Sequence, residues 1–281
     1  MKKQKYAKED FKYSSLPNTR KDAFKDVYRN NFSTIMKCGI SLLLFSLPLI
    51  IFIVIMDIWQ IGIVNSGYDE EVLRGVILWW NLSLHLGSVL LVYLILVGFC
   101  GVLRVIKLLI WQEGIDYLYD FKVGIKENFK HFSLFYLFAS LFYIATCLVK
   151  LFLLAPLVGL ALIIVYLLMF IPLFMWGILS VNVYQTRLKE YIKNSAFFFS
   201  RTIGISFVFL ILIVWPFFSI YLPVNMYTIM YKAPVVSILI LFYYPCLLIV
   251  LSLYSCSKFD KYINQDNFPD YYRKGLYDTQ K

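Results

Sequence analysis

The sequence predicts an all-α fold: a polytopic integral membrane bundle of six transmembrane helices with two interfacial amphipathic helices on the cytoplasmic side. Three observations predict it. The 281 residues are 60% apolar and only 16% charged, with a mean hydropathy of +0.71, whereas soluble domains run near a quarter charged and under half apolar. A water-soluble core of this size has no room for so much hydrocarbon, and the surplus would stand on the surface as apolar patches. Six stretches reach the length of about 20 apolar residues that crosses a bilayer. Finally, the cations are distributed lopsidedly among the connecting segments.

Taken in chain order, residues 1–34 read as a polar, basic tail ahead of a transmembrane domain over 35–256, with a second tail over 257–281. The spans fall at about 38–59, 80–103, 132–154, 157–181, 203–222 and 234–256, with boundaries good to roughly 2–4 residues. The first is long enough to act as an uncleaved signal anchor. The apolar stretch 132–181 is too long for one crossing, and Pro156 divides it, since proline ends the helix before it. Lys150 then lies close to a membrane face, where its stem can snorkel.

The regions through Lys37, 104–130, 182–201 and the C-terminal tail hold 10, 5, 4 and 5 Lys and Arg residues, 24 in all. The three alternate loops hold one each, Arg74, Lys150 and Lys232. Cytoplasmic loops carry the excess of cations, so both termini are expected in the cytoplasm of a cell-membrane protein, with an even number of crossings. Trp59, Trp79, Trp80, Trp111 and Trp176 fall near the proposed span ends, where aromatic belts form. The formal charge of +10 thereby reads as an attraction to anionic headgroups of the lipid bilayer. Nucleic acid is not an expected partner, because no recognised binding motif accompanies the charge.

Two inner connections carry a helical period. In 115–129, Ile115, Leu118, Phe121, Ile125 and Phe129 share one face, with Asp116, Asp120 and Glu127 opposite. Leu188, Ile192, Ser195 and Phe199 mark a similar stripe before the fifth span. Such helices rest among headgroups or dock beneath a bundle. They also offer a surface for another membrane transport protein, with Lys122, Lys126, Asn128, Phe129 and Arg187 as its candidate contacts.

The run from Asp120 to Lys130, through Phe121, Lys122, Gly124, Lys126, Asn128 and Phe129, resembles the aromatic–basic–Gly–x–Lys–x–Asn–Phe–Lys signature of the YesL-like family of bacterial membrane proteins. Asn30, Asn31 and Phe32 followed by Leu42 to Pro48 are similar to that family's first span, and Leu188 to Ala196 to the stretch before its later spans. The resemblance covers roughly residues 25–255. It implies a helical membrane protein without assigned chemistry, associated with carbohydrate uptake systems, and it brings no catalytic residues.

Polar groups inside hydrocarbon are costly and so attract a functional reading. Asn81 and His85, four residues apart in the second span, share a helix face. They suit either a polar contact between helices or the lining of a cavity. Asp57 and Asn182 lie at span ends, and elsewhere the spans hold no Asp, Glu, Lys or Arg, which argues against an ion-coupled transporter. Prolines recur in spans at Pro48, Pro172, Pro216 and Pro245, as static kinks or as the breaks that build transporter sites. Gly98 and Gly101 lack full GxxxG spacing.

The five cysteines are dispersed, without CxxC or metal spacing, and read as small buried hydrophobes. There is no HExxH, GxSxG, Walker A or calcium-loop pattern, and no inner loop exceeds about 30 residues, too short for a catalytic domain. No cofactor and no enzymatic activity are expected. The favoured expectation is an accessory or regulator of a transport system, carbohydrate uptake being the class the resemblance points to. The alternative is a channel or permease subunit moving a neutral solute past Asn81, His85 and the kinks. A lipid-modifying enzyme ranks last, because clustered acid and base groups are missing.

Overall fold

The computed structural model describes residues 17–152, 156–185, 187–215 and 226–277, with side chains for all of these except 150–152, 156 and 226–229. Among the described residues every element is helical. A short helix α1 (Arg20–Asn30) leads into α2 (Phe32–Val64), α3 (Glu70–Trp111) and α4 (Tyr117–Phe152). Then follow α5 (Pro156–Val165), a π-helical stretch Tyr166–Phe170, and α6 (Ile171–Tyr184). After α7 (Leu188–Arg201) and α8 (Ile203–Val214), α9 (Met226–Ile238) passes through a second π-helical stretch, Leu239–Tyr243, into α10 (Tyr244–Phe259).

Five helical segments are long and apolar enough to cross a membrane, and a sixth if the bent pair α7–α8 counts as one. Each overlaps an expected span, as a helix satisfies its own backbone without water. The fifth expected span, 203–222, lies partly outside the described residues, as does Pro216. Pro156 does open a helix, α5, in the first-turn position where its missing N–H is harmless; the residues just before it lie outside the described ones.

The helices are longer than a bilayer needs. At 1.5 Å per residue, the 42 residues of α3 extend about 63 Å, about twice the hydrocarbon thickness. The largest departure from expectation is α4. Residues 117–129, expected as a separate interfacial helix, run without a break into the span that follows. No Gly or Pro interrupts Glu127 to Phe135, and the acidic face expected to meet water is turned partly onto α3. Asp120 is buried, whereas Leu118 of the expected apolar stripe is 69% exposed.

Close approach of α3 and α4 depends on Gly101 and Gly124. A Cβ on Gly124 would stand 2.7 Å from the Arg104 Cβ and 2.9 Å from the Cys100 carbonyl oxygen, and one on Gly101 would strike the Phe121 ring. Small residues where backbones meet are the usual means of packing helices in lipid. Gly98 makes room instead for the Phe45 ring of α2.

The second amphipathic segment is a separate helix, α7, bent by 101° from α8. Its most buried residues are Tyr191, Ser195 and Phe198; of the expected stripe Ser195 is buried and Leu188 and Phe199 pack against the core, while Ile192 is exposed. Phe198 stacks on Trp176 at 5.2 Å and meets Phe259 at 4.8 Å. Trp176 is therefore not a belt residue: it is fully buried and its Nε1 donates to Ser206 Oγ at 3.0 Å. Trp111 also faces protein, stacked on Tyr271 and beneath the Lys274 ammonium at 4.1 Å.

Both described ends of the chain meet at one end of the bundle. In α1, which falls in the stretch expected as a tail, Ala23 and Val27 are buried. Arg20 pairs with Asp260 at 2.6 Å, and the Tyr277 N–H donates to the Pro17 carbonyl. The C-terminal segment folds over the end of α3, where Lys274 pairs with Glu113 at 2.6 Å and Gly275, at φ +79°, lies against the Ile110 carbonyl.

Candidate functional site

The chemistry-bearing side chains gather in two clusters and leave an apolar cavity between them. The first lies at the end of the bundle where the chain ends meet, on α3, α4 and α6. Arg104 pairs with Glu127 and lies 3.8 Å from Asp120. Gln185, which ends α6 in the left-handed region at φ 50°, donates to the same Glu127 oxygen at 2.9 Å. One turn along α3, the Lys107 ammonium donates to the Asn182 carbonyl at 2.8 Å and lies over the Trp111 ring. Asn182 in turn donates to the Leu103 carbonyl at 3.0 Å and accepts from Asn128, which also donates to the Cys100 carbonyl. Buried polar groups need such partners, and this network supplies most of them across three helices, leaving Arg104 Nε and Asn128 Oδ1 without a hydrogen bond.

The second cluster lies toward the opposite end. Asp57 of α2 accepts from the Lys232 ammonium of α9 at 3.0 Å, and both side chains are at least nine-tenths buried. α2 continues seven residues beyond Asp57, and Lys232 belongs to a helix rather than to a loop. The two are 175 positions apart in the chain. Only a depth argument could have paired them: each is a lone charge set a similar distance inside the same end of the bundle.

Between the clusters lies a cavity of about 260 Å³, bounded by α2, α3, α6, α8, α9 and α10. Its hydroxyls are turned away into backbone, Ser46 donating to the Leu43 carbonyl and Tyr244 to the Ile213 carbonyl.

The residues singled out from sequence fall into three groups. Asn81 bonds the Ile77 carbonyl of its own helix, and His85 Nδ1 meets the Tyr143 hydroxyl of α4 at 2.8 Å. Neither lines the cavity. Asn128, expected on a partner-facing surface, is 1% exposed and cannot serve there, while Phe129 packs against Tyr93. Lys122, Lys126 and Arg187 remain exposed. The described cysteines are free thiols. Among the described residues no three His, Cys, Asp or Glu side chains converge as a metal site would require.

No protein-family model matches the chain, and neither does any curated protein or solved structure.

Proposed function

We propose that the chain is a non-enzymatic, six-span protein of the cell membrane, with both termini cytoplasmic, that assists or regulates a transport system and does not itself conduct solute. One observation carries this reading: every polar side chain described above within the spans is used in a helix-to-helix or backbone contact, and the space inside the bundle is walled by hydrocarbon. A path for a neutral polar solute needs hydrogen-bonding groups along its wall. The end that carries most of the cations also presents exposed Lys122, Lys126, Arg187, Lys189 and Ile192, on α4 and α7, as a surface for the partner. In this reading α7 lies along the headgroups, its bend from α8 marking the edge of the hydrocarbon. Carbohydrate uptake is the class of system to test first.

The test compares deletion with reconstitution. Deleting the gene should change the abundance or the uptake rate of a sugar permease, while liposomes holding the purified protein take up no sugar above protein-free controls. Uptake by those liposomes, lost in His85→Ala, would replace this reading with that of a permease subunit.

A further inference from the structure

Three proline-bearing spans meet around the central cavity. Pro48 lies within α2, and α6 and α10 carry Pro172 and Pro245 two residues past their π-helical stretches. A proline has no N–H to return to the carbonyl four residues back, and a π turn is where a helix spreads and changes direction. α2 and the second π-helical stretch touch at Gly39, where a Cβ would strike the Leu241 carbonyl, and beside that contact the three spans leave a space between them. Leu49, Ile50, Phe99, Met175, Ile178 and Leu248 wall the space that results.

The shape and chemistry of this space specify a ligand. Its lining runs along α2 from Leu42 to Ile53 and along α6 from Ile171 to Leu179, which is about 12–17 Å at 1.5 Å per residue. Packed interiors leave few voids larger than a water molecule. An apolar cavity of ~150 Å³ already binds benzene and stays dry, since a water needs two to four polar partners; this one is larger, at about 260 Å³. Polar groups close both ends. Asp57 and Lys232 lie one turn beyond Ile53 and Val236, and Asn182 lies three residues beyond Leu179, bonded to the Leu103 carbonyl. The geometry points to a binding site for one aliphatic acyl chain taken from the bilayer, held lengthwise between the polar ends. The chain gains dispersion contacts along its whole length and forfeits no hydrogen bonds.

The test is photolabelling of the full-length protein in nanodiscs, with a phosphatidylcholine bearing a diazirine in one acyl chain and, separately, with a fatty acid bearing the same group. Labels from either probe are expected on peptides covering 171–179 and 247–251, and the probe that labels names the source of the chain. Filling the space with Leu248→Phe should lower this labelling several-fold and reduce the rise in melting temperature on adding lipid to detergent-purified protein. Leu90→Phe, on an exposed face, should change neither. Labels confined to exposed positions such as Leu90, Leu141 and Ile211 would overturn the assignment, whether or not Leu248→Phe folds. Equal labelling of a folded Leu248→Phe variant would overturn it too.

Discussion

The two ends of this bundle hold buried charge in different ways. At the end where the chain termini meet, Arg104 has Glu127 and Asp120 within reach, Glu127 has Gln185 as well, and Lys107 rests on a carbonyl and an aromatic ring. At the other end, among the described residues, one contact, Lys232 to Asp57, neutralises two side chains that are almost wholly out of contact with solvent. Around Arg104 the first arrangement is redundant and partly exposed, so that losing Glu127 still leaves Asp120 within reach. Among the described residues the second has no substitute. Taking an ion out of water costs several kcal/mol, and only its partner makes that tolerable. The teaching is that the number of charges at a site says little about sensitivity; the number of alternatives each charge has says more.

The comparison can be broken at its strong point first. Asp57→Ala leaves the Lys232 ammonium buried without its carboxylate, and should lower stability by about 3–5 kcal/mol, read by thermal unfolding in mild detergent. The double variant Asp57→Leu/Lys232→Met removes both charges at similar volume and should recover most of that loss. If it does not, the ion pair has a role beyond mutual neutralisation.

A smaller effect is expected for Asn182→Leu, which removes the link between Asn128 and the Leu103 carbonyl. The loss should be about 1–3 kcal/mol, the cost of leaving buried polar groups unpaired. Glu127→Gln keeps the shape of the Arg104 contact, and Asp120 remains nearby. In this partly exposed setting the change should stay below about 1 kcal/mol, checked by the same melts. The smallest expected change is His85→Phe, since one hydrogen bond between membrane helices averages about 0.6 kcal/mol. A larger loss there than for Asn182→Leu would reverse the order and give His85 a role that its contact with Tyr143 does not supply.

Much of the fold is legible in the sequence, and the candidate site much less. Hydropathy locates the apolar segments because each must satisfy its own backbone over a fixed thickness. Pro156 is legible as a turn because its ring acts on the residue beside it. The fate of Asp120 and Glu127 is not legible, because their neighbour Arg104 lies on another helix, and an acidic face beside an unknown surface reads as a wet one. The same blindness misplaces Asn128, Trp176 and Ile192 of the stripe on α7, whose burial or exposure is set by helices remote in the chain. The resemblance motif gains a physical reading in the process. Two of its positions, Gly124 and Asn128, are the point of closest backbone approach to α3 and a buried bond to the Cys100 carbonyl, so they serve packing rather than recognition.

By itself, then, the sequence determined that this chain is helical, which segments are long and apolar enough to cross a membrane, and which carry the cations, since hydrophobic length and charge are properties of neighbours along a chain. Only the tertiary structure decided that Asp57 belongs with Lys232, that Arg104 draws the start of α4 against α3, and that three proline-bearing helices surround a hydrocarbon-lined cavity. Pairing and packing act through space, between residues that a local pattern has no means to bring together.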